Sequence, residues 1–145
     1  MKPTSLNVQQ SAPLYAGEPK LIATIPYTSF AANTTIYPYY KGVLTRNARS
    51  RTYAVYNTMD QQLSAGFEFN PYDSTAAAEP PGIQGGFTWA SGVAQDQFAI
   101  VSSELGSSGG AGILAAAVDS FQGGYAMGAT APTSGNLYVY INEKF

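Results

Sequence analysis

Cysteine and histidine are both absent from this chain of 145 residues, and charge is scarce, with seven basic and nine acidic side chains. Without cysteine there is no disulfide framework and no thiolate metal site. Without histidine the commonest general base and the commonest metal ligand are missing. Ser-His-Asp and Cys-His nucleophile systems are therefore impossible within the chain, as are zinc sites of the usual kind. The scattered carboxylates offer no pair that stands out as the acid and base of a glycosidase. Residues 70–74, NPYDS, gather oxygen ligands but lack the acidic spacing and glycine of a calcium loop. GSSGGAG at 106–112 lacks the Lys-Ser/Thr that completes a phosphate loop. The expectation is a non-enzymatic protein with no cofactor and no metal.

Long apolar runs are missing too. The longest lies near Gly112–Val118, too short to span a bilayer. No apolar segment follows Lys2, so neither a secretory signal nor a membrane partner is expected. A net charge of −2 gives little electrostatic steering. It argues against nucleic acid, whose affinity comes mostly from phosphate neutralisation.

Aromatic residues make up 13 % of the chain, eleven of them tyrosine, against 11 % charged residues. A soluble domain ordinarily carries about one-quarter charged residues. Hydroxyl, amide and tyrosine groups must therefore supply the polar surface, and such a surface suits broad, partly buried contacts. The length suits one compact domain that buries roughly two-thirds of its unfolded surface, with room for an extended arm.

Residues 1–20 carry Pro3, Pro13 and Pro19 and read as that arm. It is either a frayed end or a segment lying on a neighbouring subunit, with Leu6, Val8, Leu14 and Tyr15 as apolar grips. Residues 21–145 read as a single β-rich domain. LIATIPYTSF (21–30) is a strand interrupted by Pro26, which favours an edge or a bulge. TTIYPYY (34–40) is a second run, broken by Pro38, with Asn33 as the turn between the two. Residues 52–56 and 62–69 alternate as a hairpin around Asn57–Gln61, with Leu63, Ala65, Phe67 and Phe69 facing the core. Either Tyr53 or Tyr56, whichever points outward, is a contact candidate. Residues 70–92 are rich in turns before Phe87 and Trp89 open a further strand. Residues 93–118 stay open between helix and strand, with strand favoured by the surrounding Gly, Ser and Thr. NLYVYINEKF closes the chain as a strand, with Leu137, Val139 and Ile141 on one face. About eight short strands and no amphipathic helix predict an all-β fold: an antiparallel β-sandwich or jelly roll, or a small β-barrel.

The stretch VYNTMDQQLSAGFEF resembles hairpins in small β-rich virion proteins of tailed bacteriophages. In those proteins a strand ending in Asn-Thr or Asn-Ser leads through a hydrophobic-Asp-Gln turn into an alternating strand. The absent Cys and His, the few charges, the many Tyr, Gly, Thr and Ala, and the Pro-rich arm are similar as well. The resemblance implies a capsid decoration (cement) protein, located in the virion and assembled in the host cytoplasm. Its partners would be the major capsid protein and neighbouring copies of itself, with a trimer favoured. Candidate partner contacts are Leu14 and Tyr15 in the arm, Tyr37, Tyr39 and Tyr40 in the second run, the basic residues Arg46, Arg49 and Arg51, and Trp89. The alternative is a carbohydrate- or receptor-binding β-sandwich, including a phage tail or baseplate component. There Trp89 would stack on a glycan, unless it simply packs in the core.

Overall fold

Alternating apolar residues become strands that share one core. The computed structural model describes residues 19–45, 48, 50–69, 88–105 and 119–145. Among the described residues nine strands run in chain order: β1 (Lys20–Pro26), β2 (Thr35–Ile36), β3 (Tyr39–Tyr40), β4 (Ser50–Asn57), β5 (Leu63–Phe69), β6 (Thr88–Val93), β7 (Gln97–Leu105), β8 (Phe121–Met127) and β9 (Asn136–Lys144). A single 3-10 turn, Tyr27–Ser29, follows β1. Within the open segment 93–118, Gln97–Leu105 is strand, as favoured, and residues 106–118 lie outside the described residues. The arm up to residue 18 and the apolar run at 112–118 lie outside the described residues.

Prolines behave as their chemistry requires. Pro26 ends β1, which is an edge strand of its sheet. Pro38 splits the second run into β2 and β3, yet its carbonyl accepts the Gly123 N–H at 2.9 Å, so both halves lie along β8. Asn33 takes φ 54° between β1 and β2.

Two antiparallel sheets result. Sheet A has the order β1-β9-β4-β7, and sheet B has β2-β8-β5-β6 with β3 also on β8. Counting β2 and β3 as one interrupted strand gives eight positions, paired first with last, second with seventh, third with sixth and fourth with fifth. One long antiparallel ribbon rolled between two sheets has this order, so the sandwich is a jelly roll. The sheets do not close into a barrel.

This topology corrects the expected 52–69 hairpin. β4 pairs with β7 and β9, whereas β5 pairs with β6 and β8. The link Thr58–Gln62 is an arch that carries the chain from one sheet to the other. Alternation holds on both sides of it because both strands point into the same core from opposite sheets. Tyr53 and Val55 enter from sheet A, and Leu63, Ala65 and Phe67 from sheet B, each no more than 3 % exposed. Tyr56 is the outward-facing tyrosine and is half-buried.

Asn57 is why the chain arches here. It is fully buried. Its amide donates to the carbonyls of Gln61 and Val93, both at 3.0 Å, and its Oδ1 accepts the Met59 N–H at 2.9 Å. Its own carbonyl accepts the Asp96 N–H at 2.6 Å. One side chain therefore ties the β4–β5 arch to the β6–β7 arch beside it. Thr58 adds the start of β9, exchanging bonds with Asn136 through its N–H and Oγ1. Gly135, at φ 89°, completes the joint, because a Cβ there would overlap the Thr58 carbonyl.

Between the sheets lies an aromatic cluster. Tyr53 stacks on Phe67 at 5.1 Å between ring centroids, and Phe121 meets both at 5.2 and 5.3 Å. Tyr125 meets Phe67 edge-on at 6.1 Å and shares a 3.0 Å hydroxyl–hydroxyl bond with Tyr40. Burial pushes the Tyr40 hydroxyl up to about 12 and that of Tyr125 well above the usual tyrosine range. Both folded values lie above the unfolded value of about 10, so the neutral forms stabilise the fold. That contribution is complete below about pH 10 and is lost as pH rises beyond it. Denaturation midpoints should therefore be flat at neutral pH and fall steeply above about pH 10. Tyr125→Phe should make that fall shallower, measured by urea titration at successive pH values.

Candidate functional site

β7 and β9 break the simple rule of one apolar and one wet face. In β9, Leu137, Val139 and Ile141 fill the core, while Tyr138 and Tyr140 alternate with them on the other side. In β7, Val101 is buried, while Phe98 and Ile100 point outward and are 52 % and 63 % exposed. Strands apolar in both phases are made for cover on both faces. Sheet A has such cover only on its inner side among the described residues.

Register assembles these residues into two rows across all four strands of sheet A. One row runs Leu21–Tyr140–Ala54–Ile100. The next runs Thr24–Tyr138–Tyr56–Phe98. Neither row contains a charged side chain. Tyr56 and Tyr138 stack at 6.1 Å, and Phe98 lies 6.0 Å from Tyr140, which holds the rings against the sheet. Leu21 is 49 % exposed at one edge, opposite Ile100 at the other. A groove of about 190 Å³ runs over Ala54 and Tyr140, walled by Phe98 and Ile100 on β7 and by Pro19 at the start of β1. Such a face is chemically inert. It can bury apolar area without stranding a charge, which is a binding property rather than a catalytic one.

The residues singled out from sequence are not brought together. Leu14, Tyr15, Arg46 and Arg49 lie outside the described residues. Tyr37 is 46 % exposed between β2 and β3, and Tyr39 is half-buried opposite Gln122. Tyr40 is half-buried, with its ring 4.8 Å from Phe121 and its hydroxyl bonded to Tyr125. Arg51, expected in a basic cluster, is 2 % exposed. Its Nε donates to Glu143 at 3.1 Å and its Nη2 to the Thr45 carbonyl at 2.7 Å, while the same carboxylate accepts the Thr45 N–H. Arg51 thus anchors the 41–45 loop to β9 and presents no charge to a partner. Trp89 stands 41 % exposed on β6, an edge strand of sheet B, rather than in the core.

Two carboxylates of the described region are engaged in structure. Glu143 serves Arg51, and Asp60 accepts both the N–H and the hydroxyl of Thr133, which holds its carboxyl below the usual range. Among the described residues no three His, Cys, Asp or Glu side chains converge as metal ligands, and no helix is long and apolar enough to cross a membrane. No protein-family model matches the chain, and neither the curated proteins nor the solved structures yield a match.

Proposed function

We propose that this chain is a structural virion protein, a head decoration (cement) protein that binds and stabilises a capsid shell through broad, low-charge contacts. One observation carries the reading: the charge-poor outer face of sheet A, with Leu21, Phe98 and Ile100 exposed beside three tyrosines and Lys144 the one charged side chain lining its groove. Exposed apolar patches of this kind mark interaction surfaces. The jelly roll is an architecture of viral capsid and lectin domains, which agrees with the reading without fixing it. Weak contacts repeated over a shell add up to strong attachment, so no single deep pocket is needed.

The test is sedimentation of the purified chain alone and with bacteriophage heads. The wild type should run as an oligomer and pellet with heads. Phe98→Ser combined with Ile100→Ser should weaken pelleting about tenfold or more, since two exposed apolar anchors are removed at a penalty of at least ~1.4 kcal/mol. Both side chains are exposed, so circular dichroism should be unchanged. A strict monomer that pellets with no head overturns the proposal.

The exposure of Trp89 favours one second reading, a glycan-binding module in which the indole stacks on a sugar. The chain has one tryptophan, so a sugar-dependent change in its fluorescence would report that site alone.

A further inference from the structure

The outer face of sheet A also indicates what covers it. We infer that residues 1–18 of a second copy lie in the groove between Pro19 and Ile100, so that copies assemble by exchanging arms. This rests on the structural reading above and names the partner for that face.

Three observations support it. The first is position. Pro19 itself walls the groove, so the arm leaves the body of the protein at the rim of the surface it would cover. The second is chemistry. The first eighteen residues hold only two charges, Lys2 and Glu18, and carry Leu6, Val8, Leu14 and Tyr15 between polar uncharged residues. This composition matches a groove lined by uncharged side chains apart from Lys144. The third is reach. Eighteen extended residues span up to about 60 Å. Crossing four strands needs only about 15 Å at the usual spacing between strands.

Exchange between copies is favoured over folding back onto the same sheet. Pro19 disfavours a helical backbone at the residue before it, so a sharp reversal right beside the groove is disfavoured. Pro3 and Pro13 further stiffen the arm toward extended geometry. An arm that continues away from its own sheet meets the same groove on a neighbour. Each copy then gives one arm and accepts one, reciprocally in a pair or cyclically in a ring.

The native chain has no cysteine, so introduced cysteines report without interference. Full-length chains would be made with Leu6→Cys, Val8→Cys or Leu14→Cys, and separately with Ile100→Cys. Each arm variant would be mixed with the Ile100→Cys chain and oxidised mildly. At least one mixture should yield a disulfide-linked heterodimer on a non-reducing gel. Phe98→Ser with Ile100→Ser in the full chain should lower the oligomer mass, and Phe98→Ser added to the Ile100→Cys chain should reduce the yield of that product. If no arm position links to Ile100, the inference is overturned. If chains bearing both cysteines link only within themselves, it is overturned as well. The two proposals fail separately. Arm-linked oligomers that pellet with no capsid would sink the decoration reading alone. Head binding without any cross-link would sink the arm alone.

Discussion

Replacing Asn57 with alanine should cost about 4 kcal/mol or more and bring the fold to the edge of stability. The substitution removes two donors and one acceptor from a site with no solvent. The carbonyls of Gln61 and Val93 lose their 3.0 Å partners, and the Met59 N–H loses its 2.9 Å acceptor. Each buried group left unpaired costs about 1–3 kcal/mol, because water cannot replace the lost bond. Asn57→Asp should do no better despite its matching shape, since a carboxylate would face two carbonyl oxygens and carry a buried charge. Urea unfolding would show a midpoint lowered by about 2 M with an unchanged slope, given typical slopes of about 2 kcal/mol/M. Hydrogen exchange would locate the damage. The amides of Met59 and Asp96 should lose protection before those in the middle of β9. An Asn57→Ala protein with wild-type stability would refute the role assigned to this joint.

Arg51→Ala should be the other large loss, about 3–5 kcal/mol. Removing the guanidinium leaves the Glu143 carboxylate, with its side chain 9 % exposed, without its ion-pair partner. It also takes the Nη2 donor away from the Thr45 carbonyl. The informative control is the double variant Arg51→Met with Glu143→Leu. Removing both charges removes the desolvation penalty along with the attraction, so the double variant should recover most of the stability lost in the single one. A double variant as unstable as Arg51→Ala would mean that the loss came from packing alone.

The strands were legible wherever one face is apolar and the other wet. Leu63, Ala65 and Phe67, and likewise Leu137, Val139 and Ile141, sit in the core as alternation predicts. The side chain of Phe69, expected beside them, lies outside the described residues. Pairing was not legible for 52–69. An arch and a hairpin present the same alternation, and the difference rests on Asn57 finding the Val93 carbonyl of β6, which no local pattern reveals. Arg51 misled for a related reason. Its neighbours in sequence suggest a basic loop, but its partner Glu143 is ninety-two positions away. The outer face of sheet A, by contrast, left a readable trace. Phe98 and Ile100 alternate with Ala99 and Val101, and Tyr138 and Tyr140 alternate with Leu137 and Val139. A strand apolar in both phases calls for two covers, and that signal was available before any coordinates.

The nested order of pairing carries a consequence for synthesis. Lys20 meets Ile141, so the first described strand is held in its sheet by the last. Sheet A cannot be finished until β9 has been synthesised, and β1 must wait unpaired until then. Closing so wide a loop carries the largest entropic penalty of any strand pairing among the described residues, which places the fold among the slow, topologically non-local class. The β1–β9 seam should be the last ladder to zip, and until it does, each nascent chain carries a bare edge next to its arm.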